Sequence, residues 1–226
     1  MRNAARRGAG TNLHIVADSE NIFSKNFAKK ARNVTQKLFN EWNDTVLVYR
    51  RFEVDKKLWP QPLELQQLQS ALKENRSNYF HALIYGRGHL IPNVWGWMNF
   101  SLENEIVVAD SIKYVNGAWE PQFIMRSTDP YHYEDIITRH YDHQVLVNEL
   151  CRAGYKFRVL SHVYNIHSGI KQKYSDYEVV MMHLAKLQAV KYDEIATSYR
   201  TNLVRCHRTA SYHRTTACGD FIVPLR

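Results

Sequence analysis

The feature of this sequence that most constrains its fold is an alternation of short apolar runs with amphipathic segments. Residues 13–17 form a mostly apolar run typical of a buried strand, and residues 26–42 carry apolar side chains at helical spacing. Residues 45–49 and 63–72 repeat the same order of strand and helix. Strands that alternate with helices are typical of domains in which helices cover the faces of a sheet. The sequence therefore predicts an α/β fold.

The rest of the chain continues this pattern with one interruption. Residues 80–101 are rich in Gly, Pro, His and Trp without a clean period, and we expect a long loop there. Further predicted strands are 106–109, 123–125, 157–160 and 163–166, and predicted helices are 142–153, which ends before Gly154, and 176–198. We expect residues 1–172 to form the main domain and residues 173–226 to form a C-terminal helix and a basic tail.

Charge and hydropathy restrict the partners of the chain. The formal net charge is +8 at pH 7, which suits phosphate-bearing cofactors, acidic glycans, nucleic acid or a membrane surface. The lysines and arginines are scattered and no nucleic-acid-binding module is recognisable, so we expect no nucleic-acid partner. No run of about 18 apolar residues is present, so the sequence predicts no membrane-spanning helix in these residues.

Four N-glycosylation sequons are typical of a protein that enters the secretory pathway. The sequence predicts glycans at Asn33, Asn43, Asn75 and Asn99. No signal peptide is visible, and we expect any anchor or signal to lie upstream of Met1. An oxidising compartment would also allow a Cys206–Cys218 disulfide, whereas Cys151, which falls in an apolar helical pattern, is expected to be a buried thiol.

Two carboxylates follow the first predicted strand. Asp18 and Glu20 are two positions apart, and side chains at this spacing point to the same side of an extended segment. Neighbouring carboxylates repel each other unless a cation lies between them, and their oxygens suit Mn²⁺ or Mg²⁺. The alternative is the start of a helix, where exposed N–H groups favour acidic side chains. His167 after the strand 163–166 is a further candidate metal ligand, although a single His is more often structural.

Two other groups have the chemistry of a transfer or binding site. Glu134 and Asp135 are adjacent carboxylates that suit a general base, and an acidic turn is the alternative. Trp95 and Trp119 offer aromatic faces on which a sugar can stack, with Glu120 beside the second. The alternative for both indoles is that they fill the core.

The order of these pieces resembles the LARGE-type glucuronyltransferases, glycosyltransferase family 49. Residues 1–6 and 11–24 are similar to the family segment in which Arg, Asn and Arg precede a strand and a pair of acidic residues. The other matched stretches are Phe52-Glu53-Val54, Phe80-His81, Gly88-His89 with Trp95, Trp119-Glu120-Pro121, Tyr133-Glu134-Asp135, 148–160 and 163–169. The resemblance extends from Met1 to about Lys171.

The resemblance implies a GT-A-like fold, a Rossmann-like mixed sheet flanked by helices. It implies transfer, with inversion, from a UDP-sugar onto a hydroxyl of a glycan or glycoprotein in the Golgi lumen, with Mn²⁺ or Mg²⁺ as cofactor. UDP-glucuronate is the donor of the best-known members. The implied roles are metal binding for Asp18, Glu20 and His167, donor contact for Arg2, Asn3 and Arg6, and general base for Asp135 or Glu134.

The departures from the family pattern concern the acceptor side and the front of the domain. Glu20 is one methylene longer than the family's Asp, Ile136 replaces an Arg, and residues 139–143 replace a Gly-containing stretch. These changes favour an alternative function, an inactive member that binds a glycan or a partner. The family's domain begins before the segment matched by residues 1–6, so we expect the N-terminal strands of the sheet to be missing. The sequence leaves association with itself or with another chain open.

Overall fold

The computed structural model describes residues 2–114, 117–134 and 142–187, and in these ranges the chain is a mixed α/β structure. Its helices are α1 (Arg2–Gly8), α2 (Phe27–Glu41), α3 (Leu65–Lys73), α4 (Ala82–His89), α5 (Val94–Glu103), α6 (Asp142–Arg152) and α7 (Asp176–Leu187). Its strands are β1 (Leu13–Ile15), β2 (Ile22–Phe23), β3 (Thr45–Val54), β4 (Ser77–Tyr79), β5 (Val108–Ile112), β6 (Gln122–Arg126) and β7 (Lys156–Ser168). The predicted α/β fold is confirmed, and the sheet is compatible with a GT-A-like arrangement.

Strands β3 and β7 form the centre of one sheet. They run parallel, from Thr45 opposite Lys156 to Val54 opposite Ser168. The strand order is β1-β6-β3-β7-β2, and β4 pairs with β3 while β5 pairs with β7. These outer pairings, and the β6–β3 pairing, are antiparallel. A sheet of this kind places one parallel pair of strands between antiparallel neighbours.

The core lies on both faces of the sheet. Every residue of β3 is buried, and its side chains alternate between two apolar clusters. Val48 and Phe52 join the cluster that contains side chains of α3, α5 and α6, whereas Leu47 and Tyr49 join the cluster that contains side chains of α2. A strand covered on both faces has a nearly continuous apolar sequence, which is why its start at Thr45 was predictable.

The expectation of a loop over residues 80–101 is wrong, because α4 and most of α5 lie there. Asn93 begins the second of these helices in the left-handed conformation, and its Oδ1 accepts a hydrogen bond from the Gly96 N–H at 3.1 Å. Trp97 and Met98 are buried against the sheet. Burial of these large side chains stabilises a short helix despite its glycine and its poor periodicity.

The two strands predicted over 157–160 and 163–166 form the single strand β7. His162 interrupts the alternation because it adopts a left-handed φ of 65°. The register with β3 shifts at this bulge, from Val48 opposite Val159 to Arg50 opposite Tyr164. The bulge changes the direction of the second half of β7, and the pairing with β3 continues beyond it.

The remaining expectations concern α6, the cysteines and the membrane. Gly154 follows α6 with a φ of +86°, as predicted for a residue after a helix end. Cys151 is buried as expected, but it is disulfide-bonded, so the expectation of a thiol is wrong. Cys206 and Cys218 lie outside the described residues. Helix α7 begins at Asp176 as predicted, and the described residues end at Leu187. In the ranges that the structure describes, no helix has the length and apolar character needed to cross a bilayer.

Candidate functional site

A row of polar side chains lies on one face of the two central strands, near their carboxyl ends. Tyr49, Arg51 and Glu53 alternate along β3, and they therefore share a face of the sheet. Asn165 on β7 lies opposite Arg51, and His167 lies opposite Glu53. Ligands of open α/β sheets bind outside the carboxyl ends of the parallel strands. This polar row is therefore the candidate site.

The acidic turn at Asp18 and Glu20 lies at the same end of the sheet. It immediately precedes β2, in which Ile22 pairs with Ile166, the residue before His167. Asp18 and His167 are both half-buried, and Glu20 is exposed. The fold thus brings the two predicted metal-binding segments, which are far apart in the sequence, to one edge.

The side chains of this edge are not gathered around a common point. Within the described residues, no group of three His, Cys, Asp or Glu side chains is placed to hold a metal ion. Asp18 is instead engaged by Arg51, whose Nη2 donates a hydrogen bond to Asp18 Oδ2 at 2.9 Å. Nδ1 of His167 lies 3.3 Å from the carbonyl oxygen of Gly169. Donation from Nδ1 to this carbonyl leaves Nε2 with its lone pair, which is the usual state of a ligand imidazole.

Arg51 is a buried cation at the centre of the site. Its side chain is 8% exposed, and its guanidinium lies 3.7 Å from the centre of the Phe80 ring. Its Nε is buried and has no hydrogen-bond partner in the described residues. Burial lowers the pKa of Arg51, and the negative charge of Asp18 opposes that shift. Asp18 is therefore the main compensation for this charge.

Phe80 holds the imidazoles of the site around Arg51. Its ring stacks on His81 at 3.8 Å between ring centres, and contacts His89 and His167 edge-on at 4.8 and 5.7 Å. The Phe80 N–H donates a hydrogen bond to the Arg51 carbonyl oxygen. One buried aromatic residue thus connects α4 to the carboxyl ends of β3 and β7.

Glu53 is fully buried beneath the turn that follows His167. Its Oε2 accepts a hydrogen bond from the Lys171 N–H at 3.2 Å, and its Oε1 lies 3.8 Å from Nε2 of His81. Burial raises the pKa of Glu53, while the backbone N–H groups of Lys171 and His81 act to lower it. Burial and nearby positive charges lower the pKa of His81 to about 4. His81 is therefore neutral near pH 7, and its contact with Glu53 is not an ion pair.

Glu120 and His89 form a second buried pair, with Oε1 of Glu120 3.3 Å from Nε2 of His89. Burial, followed by the charge of Asp142, raises the pKa of Glu120 to about 8. Burial, followed by the charge of Arg51, lowers the pKa of His89 to about 2. Near pH 7 both groups are therefore mostly neutral, and their contact is not an ion pair. Arg2, predicted to contact the donor, forms an ion pair with Asp142.

Asn3 and Arg6 bind the loop between β6 and α6. The Asn3 side chain donates to the His132 carbonyl oxygen at 2.7 Å and accepts from the His132 N–H at 2.9 Å. The buried guanidinium of Arg6 donates to the carbonyl oxygens of Asp129 and Pro130 at 2.8 and 2.5 Å. These contacts lie within the chain, and the donor contacts of both residues remain predictions.

The predicted general base lies beside α1. Glu134 Oε1 accepts hydrogen bonds from the Asn3 side chain at 2.9 Å and from Arg7 at 2.8 Å. These two hydrogen bonds lower the pKa of Glu134, which makes it a weaker base than an isolated carboxylate. Asp135 lies outside the described residues.

The two candidate stacking indoles differ in exposure. Trp119 is buried and its ring packs against Phe157 at 5.3 Å between centres, so the core-filling alternative describes it. Trp95 is 44% exposed, and its contact with a sugar remains a prediction. Trp59, which was not a predicted stacking residue, is 84% exposed.

All four predicted glycosylation positions are on the surface. The side chains of Asn33, Asn43, Asn75 and Asn99 are exposed. The Ser or Thr two positions later is buried in each case: Thr35, Thr45, Ser77 and Ser101. The surface position of the asparagines is compatible with glycans, and glycosylation itself remains a prediction.

Arg51 was not predicted as a site residue from the sequence. The available signal was the group of charges Arg50, Arg51 and Glu53 at the end of a strand that begins with an apolar run, because buried charges are rare unless they are paired. His81 and His89 were recognised only as parts of matched stretches. Their proximity depends on α4, which was not predicted.

Comparison with known proteins identifies the family. Residues 1–203 match the model of a family described as glycosyl-transferase for dystroglycan. This match includes the acidic turn, the polar row on β3 and β7, and both ends of the loop held by α1. A search of curated proteins found no match. The family match covers most of the 226 residues, and the chain therefore belongs to the LARGE-type glycosyltransferases of family 49, as the resemblance indicated.

Proposed function

We propose that the chain transfers a sugar, glucuronate or a similar one, from a UDP-sugar to a hydroxyl of a glycan or glycoprotein in the Golgi lumen. The family match supports glycosyl transfer. The observation that supports the location of the site is the meeting of the acidic turn, Arg51 and His167 at the carboxyl ends of β3 and β7. The net charge of +8 favours an anionic donor.

The residues at this edge fit a divalent cation in their chemistry. Carboxylate oxygens from Asp18 and Glu20 and an imidazole nitrogen from His167 suit Mn²⁺, and Mg²⁺ less well. All three side chains are at least partly exposed, so an ion can reach them. Bound there, the ion would neutralise charge that develops on the diphosphate leaving group.

Inversion requires one displacement, in which the acceptor oxygen attacks the sugar carbon opposite the departing diphosphate. A base must take the proton of the acceptor hydroxyl, and we assign this role to Asp135 or Glu134. The lowered pKa of Glu134 favours Asp135 for the role. Exposed Trp95 is proposed to stack on the acceptor sugar.

The proposal is tested by incubating the full chain with UDP-glucuronate, Mn²⁺ and glycan acceptors, and by measuring UDP release and product mass. We expect Asp18→Asn to lower the rate at least about a hundredfold. Asp44→Asn is the matched control. Asp44 is also partly exposed and forms an ion pair with a basic residue, Lys156, but it lies at the opposite end of β3 and β7. A rate that is unchanged in Asp18→Asn contradicts the proposed site.

One observation favours a second candidate function, a glycan-binding member without transfer activity. Asp18 is held by Arg51, and the described residues contain no assembled group of three metal ligands. This candidate predicts glycan binding with no release of UDP from any UDP-sugar, in the presence or absence of Mn²⁺.

A further inference from the structure

The ion pair between Asp18 and Arg51 has one buried and one accessible member. Arg51 Nη2 donates to Asp18 Oδ2 at 2.9 Å, the Arg51 side chain is 8% exposed, and the Asp18 side chain is 41% exposed. The guanidinium also rests on the ring of Phe80. A charge removed from water needs a compensating partner far more than an exposed charge does. The pair therefore matters more to Arg51 than to Asp18.

Little else near Arg51 replaces Asp18. Glu120 contributes negative potential at Arg51, but burial keeps its carboxyl mostly protonated near pH 7. The neighbouring imidazoles of His81 and His89 are neutral and cannot supply negative charge. If Asp18 turned away, the buried guanidinium would lose its principal counter-charge.

We infer that Arg51 is an internal cation that holds Asp18, and that a divalent cation binds only by taking Asp18 from Arg51. This inference rests on the proposed function, since it takes Asp18 as a ligand of the cation. A divalent ion and a guanidinium that share one carboxylate repel each other across a few ångströms. The competition also accounts for the dispersed arrangement of Asp18, Glu20 and His167, because Asp18 is directed at Arg51.

When Asp18 binds the cation, the buried charge of Arg51 loses its counter-ion and requires another anion. The diphosphate of the proposed donor is such an anion, and the planar guanidinium is well suited to phosphate oxygens. Cation and nucleotide should therefore bind with positive coupling, and part of that coupling should depend on the charge of Arg51. The coupling links occupation of the acidic turn to the presence of the donor.

The test is a calorimetric titration of the full chain with Mn²⁺, alone and with saturating UDP, for the wild type and three variants. Arg51→Gln removes the charge and keeps a polar group, and we expect it to bind Mn²⁺ alone about tenfold more tightly than the wild type. Its gain in Mn²⁺ affinity on adding UDP should be smaller than that of the wild type. Arg51→Lys keeps the charge and should resemble the wild type, whereas Asp18→Asn should not bind Mn²⁺.

The outcomes separate this inference from the proposed function. Equal or weaker Mn²⁺ binding by Arg51→Gln, with normal binding by the wild type, overturns the inference alone. That result would make Arg51 a residue that positions Asp18 for the cation. Absence of Mn²⁺ binding by the wild type and Arg51→Gln alike, or wild-type binding by Asp18→Asn, overturns both.

A second measurement uses the wild type, so it does not depend on whether a variant that lacks the charge of Arg51 folds. In the wild type, the Arg51 Nε–H resonance is followed by NMR during titration with diamagnetic Mg²⁺, and is assigned by its absence in Arg51→Lys. We expect this resonance to shift with the same midpoint as the calorimetric Mg²⁺ titration. A resonance that stays in place while Mg²⁺ binds would refute the exchange.

Discussion

Replacing Arg6 by Met separates a structural role of this residue from a donor-binding one. The guanidinium of Arg6 donates to the carbonyl oxygens of Asp129, Pro130 and Arg126 at 2.8, 2.5 and 3.2 Å. Hydrogen bonds to a charged group contribute about 1.5–3 kcal/mol each, and three that share one group are not additive. Because Met keeps most of the aliphatic packing, we expect the free energy of unfolding to fall by about 3 kcal/mol.

The assay is thermal unfolding followed by circular dichroism. For a chain of this length, about 3 kcal/mol corresponds to a decrease in Tm of roughly 6–12 °C. Arg7→Met is the matched control, since Arg7 is adjacent on the same helix but its side chain is 58% exposed. Its ion pair with Glu134 is solvated, and its guanidinium lies 5.4 Å from the centre of the exposed Tyr131 ring, so the Tm should remain within about 2 °C of the wild type.

The reasoning fails if Arg6→Met melts within about 2 °C of the wild type. If that variant also lost UDP binding, Arg6 would have the donor contact that the family resemblance implies. A variant that melts much earlier yet binds UDP normally would assign Arg6 to the loop alone.

Three further predictions follow from burial and charge. Leu146→Ala should lower the free energy of unfolding, measured by urea titration, by about 2–5 kcal/mol, because truncating this fully buried side chain leaves a cavity. Leu83→Ala is the control: its side chain is 55% exposed, and the free energy of unfolding should change by less than about 0.5 kcal/mol. The Tm should fall as the pH drops from 6.5 towards 4, because His81 and His89 take up protons near pH 6.5 when unfolded but only near pH 4 and pH 2 when folded. Glu120, whose pKa is raised to about 8 in the folded state, acts in the opposite direction, but it is one group against two. A Tm that rises over this interval would contradict the burial of the two imidazoles. When the chain is secreted from a eukaryotic host, Asn33→Gln should remove the mass of one N-glycan without lowering the Tm, because this side chain is exposed on α2.

The elements that the sequence predicted best are those whose apolar pattern is set by contact with the sheet. Helix α2 follows the expected stripe, since Phe27 and Leu38 are buried and the residues between the stripe positions are mostly exposed. Strand β2 and strand β4 were missed because two- and three-residue strands carry no measurable period, and their pairing with β7 and β3 defines them. Helix α5 was missed because Trp97 and Met98 are stabilised by tertiary burial that no local pattern displays.

The candidate site was only partly predictable for a similar reason. Asp18 and His167 were found from residue type and from their order in the family pattern. Their common location follows from the pairing of Ile22 with Ile166, which the sequence does not reveal. Arg51 was missed because a cation within a buried strand can be interpreted only when its partner is known.

The parallel pairing of β3 with β7 also has a consequence for the order of folding. Thr45 pairs with Lys156, and helices α3 to α6 lie between these two residues in the sequence. Contacts between residues so distant in sequence form slowly, because a large loop must be closed before they are made. At a synthesis rate of about 5–20 residues per second, several seconds pass between the emergence of β3 from the ribosome and that of β7. Until then its edge is unpaired, and association with chaperones during this interval should protect the nascent chain from aggregation.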